Sequence, residues 1–223
     1  MLSVSAVLFD FDHTLGLDHH LEHDVIAQLA AEVCKQPPLP ADVDAALACF
    51  RSGTLGLDET LIESFRAWGY PPLRLADIPD EFRSRALREA PTRVTPVEGA
   101  CEMLATLRAR NMTLGILSNG WTELQVLKAR LIGFPGPVFV SQQIGVWKPD
   151  PNAFLIAAQR LKVAAASTLY AGDEPSVDIA GAKAAGMFAA WTDFERRRYP
   201  ADVLKPDIVL RDWRQFVEAL EAG

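Results

Sequence analysis

The chain opens on residues 4–9, a short, almost unbroken apolar run that stops at a pair of acids. A run without polar alternation is the pattern of a strand buried on both faces, as in the middle of a parallel sheet. From Gly16 to about Thr95 the apolar residues recur at spacings of three and four. This predicts helices at 21–35, 41–52, 57–68 and 78–90, separated by Pro37-Pro38, Gly53 and Pro71-Pro72. Beyond Pro96 the two patterns alternate. Helices are expected at 97–110, 121–131, 151–161, 175–185 and 213–220, and strands at 112–117, 138–140, 168–171, 187–191 and 208–210. The fold class that follows is α/β, a Rossmann-like doubly wound parallel sheet built from residues 1–15 and 96–223, with an all-helical insert at 16–95.

Composition narrows the picture. Hydrophobic residues make up 49% of the 223 and charged residues 23%, as in ordinary globular proteins. A chain of this length buries roughly 70% of its unfolded surface and needs no disulfide to fold. Cys34, Cys49 and Cys101 are odd in number and lie in helical patterns, which reads as small buried hydrophobes in a reducing compartment. The net charge of −7 argues against a nucleic-acid polymer or an anionic membrane as partner. Residues 1–5 lack the charged start of a signal peptide, and the uncharged stretch 131–147 is broken by glycines and prolines. A cytoplasmic setting is expected.

The chemistry gathers at the ends of the expected strands, where ligands of such sheets bind. The first strand runs into Asp10-Phe11-Asp12-His13-Thr14, and an extended backbone sends both carboxylates to one side. A second strand ends in Ser118-Asn119-Gly120 at the start of a helix, Lys148 precedes Pro149, and a later strand ends in Gly172-Asp173 with Asp178 five residues on. Clustered carboxylates repel one another unless protonated or bound to metal. Together with a lysine and helix-start amides they suit a hard divalent cation and a phosphate. One carboxylate could then attack phosphorus while another moves protons.

Four segments in order resemble the haloacid dehalogenase superfamily: V-L-F-D-F-D-H-T-L, L-G-I-L-S-N-G, G-V-W-K-P-D-P-N-A-F and Y-A-G-D-E-P-S-V-D-I-A-G-A-K-A-A-G-M. The resemblance covers 4–14 and roughly 96–223. It implies that Asp10 is the nucleophile that forms an aspartyl-phosphate, that Asp12 is the general acid and base, and that Lys148 belongs to the same machinery. It further implies a phosphate held by Thr14, Ser118, Asn119 and Lys148. Mg2+ would be held by Asp10, Asp12 (through its carbonyl) and Asp173, and the helical insert would be a cap. Asp178 has several readings: a metal ligand, direct or through water, an orienting partner of Lys148, or support for its helix's first turn. The expected function is Mg2+-dependent hydrolysis of a small phosphorylated metabolite, a sugar phosphate or a nucleotide. Gln125 and Lys128 look like those of the nucleotidase and sugar-phosphatase branch.

Alternatives of the same fold are a sugar-phosphate mutase and a metal-independent 2-haloacid dehalogenase; the second acid, Asp12, and Asp173 argue against the latter. A phosphorylation-dependent signalling domain has similar groups in a different order. His13, His19, His20 and His23 fall in one segment, read as the solvated start of a helix, with His13 placed to face a leaving group. The run 195–198 reads as a solvated loop, and Arg66, Arg83, Arg85 and Arg88 as surface charges or an anion-facing set. Oligomeric state leaves no signal.

Overall fold

A computed structural model describes residues 4–218 of the chain. The residues up to Leu17 and those from Thr95 onward form one compact unit, and Asp18–Val94 form another.

The first unit begins with β1 (Ala6–Phe9), all four residues buried. The amides of Thr14, Leu15 and Gly16 then all donate to the Phe11 carbonyl, which makes a tight turn into β2 (Gly16–Leu17). The chain departs through α1 (Leu21–Val33), α2 (Pro40–Arg51), α3 (Leu57–Ala67) and α4 (Ile78–Arg93). It returns on β3 (Thr95–Pro96), antiparallel to β2. There follow α5 (Ala100–Ala109), β4 (Thr113–Ser118), α6 (Thr122–Leu131), β5 (Val138–Val140), α7 (Ser141–Ile144) and α8 (Pro151–Leu161). Next come β6 (Thr168–Gly172), a π turn at Pro175–Ile179 leading into α9 (Ala180–Ala184), β7 (Phe188–Thr192) and β8 (Ile208–Leu210). The expected last helix begins as a single 3-10 turn at Trp213–Gln215, and its end at Leu220 lies outside the described residues.

The six long-range strands pair in the order β5-β4-β1-β6-β7-β8, every neighbour parallel. The chain winds from β1 toward β5 on one side, then from β6 toward β8 on the other. The winding reverses beside β1, so the crevice of this sheet opens beyond the C-terminal ends of β4, β1 and β6. The β2–β3 ribbon ties Gly16, Leu17 and Thr95 to the sheet unit, although the sequence pattern had assigned them to the insert.

Consecutive residues of β1 face opposite sides of the sheet. Leu8 packs with Leu117, Tyr170 and Ala189 against Phe154, Ala157 and Ala158 of α8 and Ile179 and Ala182 beyond β6. Phe9 faces the other layer, edge-on to Phe134, Trp213 and Phe216 with ring centroids 6.5, 5.8 and 6.2 Å away. Burial on both faces explains the unbroken apolar run.

The second unit is helical, with Leu29, Phe50, Phe65 and Phe82 buried inside it. Of Arg66, Arg83, Arg85 and Arg88, three are met by acids of the same unit: Arg85 binds Glu32 through two nitrogens (2.7 and 2.8 Å) and Glu81 through a third, Arg83 pairs with Asp58 and Asp80, and Arg66 with Glu63. His23 faces Asp24 and Asp44, and α1 starts only at Leu21, so His19 lies ahead of the helix. Cys34 is buried, but Cys49 and Cys101 are exposed, against expectation. Both sit on outward faces of their helices. Among the described residues no helix is long and apolar enough to cross a membrane.

Candidate active site

Asp10 follows the last residue of β1, and its amide donates to the Ala171 carbonyl of β6 (2.8 Å). The sheet therefore fixes its backbone at the crevice. Its carboxylate accepts from Lys148 Nζ at 2.7 Å. The same ammonium donates to Asp178 Oδ1 (2.8 Å) and to the Tyr170 hydroxyl (2.8 Å), which in turn donates to the Leu117 carbonyl. Asp10, Lys148, Asp178 and Tyr170 are all buried. A buried ammonium is tolerated only when it is paired in this way.

The Lys148 backbone is held from β4. Asn119 Nδ2 donates to the Lys148 carbonyl and the Lys148 amide donates to Asn119 Oδ1, both at 2.9 Å. The Asn119 side chain thus tethers the lysine loop. The Lys148–Pro149 peptide bond is cis. Asp178 Oδ2 accepts from the Glu174 amide (3.0 Å) while its Oδ1 accepts from Lys148. Gly172 makes this possible, because a Cβ there would run into the Asp178 carboxylate.

Asp173 follows β6. Its carbonyl accepts from Trp191 Nε1 (3.0 Å), and its Oδ2 lies 3.1 Å from an Arg197 nitrogen that also bonds its carbonyl. Arg197 comes from the charged run read as a solvated loop. That reading missed the residue because nothing local marks a contact to a strand end 24 positions away. Arg197, His13 and Glu195 stand in the wall of a cavity of about 160 Å³ beside Asp173. Asp10, Asp173 and Asp178 each offer one oxygen within 4.8 Å of the others.

Asp12 takes a different partner set. Lys128 Nζ donates to its Oδ1 (3.0 Å) and Gln125 Nε2 to its Oδ2 (2.9 Å). Ser118 is buried, its hydroxyl 3.4 Å from the Asn119 carbonyl. Thr14, expected among the phosphate contacts, lies in the turn after β1. It is fully buried, its hydroxyl 3.4 Å from that of Thr192 and its carbonyl accepting from Trp213 Nε1 (3.0 Å). In this arrangement it braces the turn after β1. Tyr170, also unforeseen, carries a sequence signal: a phenol hydroxyl on a fully buried strand must find partners.

Burial pushes the Asp10 carboxyl up, opposed by Lys148 and reinforced by Asp178, Asp173 and Asp12. Asp173 is pushed up to about 7, first by burial and then by Asp178, with Arg197 and Lys148 opposing. Burial disfavours the charge on Lys148, but Asp10 and Asp178 outweigh it and raise the ammonium above the ordinary lysine range. The cluster thus carries carboxylates that resist full ionisation on their own, and a bound cation or a proton would relieve them.

A family model of haloacid dehalogenase-like hydrolases matches residues 4–186. The phosphoserine phosphatase of Thermus thermophilus is 36% identical over 123 residues, 52% of this chain and 49% of that protein, so the chain spans about half of that relative. The glyceraldehyde 3-phosphate phosphatase of Pyrococcus furiosus is 26% identical over 99% of this chain and 95% of its own. Among solved structures, a 2-haloacid dehalogenase from Pseudomonas syringae pv. Tomato DC3000 superposes with a TM-score of 0.74 at 27% identity, covering 98% of this chain and 99% of that one. The family match takes in every strand end described above, from Asp10 to Asp178, and the parallel sheet is shared: this chain belongs to the haloacid dehalogenase-like hydrolases.

Proposed function

We propose that the chain is a Mg2+-dependent phosphatase of small phosphorylated metabolites. The observation that carries this reading is the buried set Asp10–Lys148–Asp178 with Asp173 beside it, at the reversal point of the sheet. Similarity to phosphatases of phosphoserine and glyceraldehyde 3-phosphate supports the substrate class. An Asp10 oxygen attacks phosphorus, and the ester oxygen leaves with a proton from Asp12. Water then gives a proton back to Asp12 and attacks the aspartyl-phosphate, which releases phosphate and restores Asp10. Lys148 offsets charge on the phosphoryl oxygens, and Ser118, at the C-terminal end of β4, offers them its hydroxyl.

Three converging carboxylates form a hard oxygen donor set suited to Mg2+, which is commonly held by one or two carboxylates plus water and phosphate. Asp10, Asp173 and the Asp12 carbonyl would hold the ion. The Asp178 oxygens already accept from Lys148 and Glu174, which favours a supporting place behind the lysine. When bound, the ion offsets the negative charge that Asp10 and the phosphoryl group bring together. A metal-free dehalogenase would have no use for Asp12 and Asp173, so that alternative is the weaker one despite the shared fold.

Hydrolysis of p-nitrophenyl phosphate, with Mg2+ and with EDTA, tests the reading. Release that requires Mg2+ is expected. Release unaffected by EDTA, or none alongside turnover of a 2-haloacid, would overturn it.

A further inference from the structure

We propose that Gln125 and Lys128 are positioning residues that hold the Asp12 carboxylate for proton transfer, an inference that rests on the phosphatase reading. They stand one turn apart on α6, so their side chains leave the same face of the helix. Each takes one oxygen of a single carboxylate: Gln125 Nε2 on Oδ2 at 2.9 Å and Lys128 Nζ on Oδ1 at 3.0 Å. Two donors on two oxygens fix the rotation of the group as well as its place.

Burial argues that this arrangement serves Asp12 rather than the packing of α6. Lys128 is 0% exposed and Gln125 3%, whereas the Asp12 side chain is 31% exposed. An apolar residue would fill either buried position without a charge or amide to satisfy. The Gln125 amide points the same way. Both acceptors beside its Nε2, Asp12 Oδ2 and the Asn119 carbonyl at 3.3 Å, require the NH2 there. Its Oε1 is then left buried with no hydrogen-bond partner. A side chain that only filled space would gain nothing from an orphaned oxygen, which costs about 1–3 kcal/mol. Gly120 leaves the room the amide occupies: its φ is +148°, and a Cβ there would meet the Gln125 side chain. The clamp therefore meets Asp12 from α6, and the Asp12 side chain stays 31% exposed.

A group that gives a proton to a leaving oxygen and then takes one from water must stand in the same place in both steps. Its placement matters most when the leaving group is basic. The test uses the full chain with Mg2+ and two esters of similar shape, phenyl phosphate and p-nitrophenyl phosphate, whose phenol is more acidic. In Lys128→Met and Gln125→Met, kcat on phenyl phosphate should fall about tenfold further than on p-nitrophenyl phosphate, with KM little changed. In an Asp12→Asn background the same changes should add nothing to that ratio, because they act through Asp12. Thermal unfolding checks each variant, and if Lys128→Met does not fold, Gln125→Met decides. Equal slowing of both esters, or effects that persist without Asp12, would overturn the inference alone. A wild type inactive on both esters would overturn the phosphatase reading and this inference with it.

Discussion

Asn119 and Lys148 are joined by two reciprocal hydrogen bonds, side-chain amide to backbone carbonyl and backbone amide to side-chain oxygen, each 2.9 Å long. They tie the end of β4 to the loop that carries the site's ammonium. Asn119→Ala removes both and leaves the lysine free to shift from Asp10. We expect kcat to fall about a hundredfold, the scale of an ångström-sized misplacement, while the fold survives. Circular dichroism and steady-state kinetics check this, and unchanged kcat would show that Lys148 is held well enough without the tether.

Gly172→Ala is expected to damage the site from beneath. The new Cβ would collide with the Asp178 carboxylate, which must then release Lys148 or the Glu174 amide. The cost should be about 1–3 kcal/mol of stability together with a fall in kcat. Gly56→Ala is the control, since a Cβ there meets nothing within 4 Å. Urea unfolding of the two variants separates the outcomes.

Metal affinity should rise with pH. Asp173 is held near 7 and Asp10 is pushed the same way, so in mildly acidic solution a proton competes with the ion. The ion binds the deprotonated form, hence Mg2+ affinity should increase roughly tenfold per pH unit for each of these carboxyls that must lose its proton, and level off above about 7. Calorimetric titration of Mg2+ at several pH values tests this, and a flat profile would remove Asp173 from the ligand set.

Phe9→Ala should lower stability by about 3–5 kcal/mol, because the ring is fully buried among Phe134, Trp213 and Phe216. Chemical denaturation measures it. A loss below about 1 kcal/mol would mean that the neighbouring rings close the gap.

The central strands were legible because a sheet covered on both faces demands continuous apolar runs, as in β1 and β6, whose residues are all buried. Acids at the ends of such runs stood out for the same reason: a charge that terminates a buried strand has few places to go. The β2–β3 ribbon was invisible because two residues carry no periodicity. The helix after β6 was legible, but not its opening π turn, which aims Asp178 back at Lys148.

Within the site, residue types could be read but pairings could not. Asp10 and Asp12 share a short loop, and extended geometry sends them the same way, yet the first meets Lys148 and the second Lys128. Arg197 and the Asn119 side chain act across long stretches of sequence, which only the packed sheet brings together.

The proposed mechanism depends above all on attack of Asp10 on phosphorus. Acid quenching of the enzyme during turnover of a radiolabelled phosphate ester with Mg2+, followed by peptide mapping, tests it most directly. A hydroxylamine-sensitive label is expected on the peptide that contains Asp10, absent from Asp10→Asn. Turnover with no label on that peptide, or turnover retained in Asp10→Asn, would contradict it.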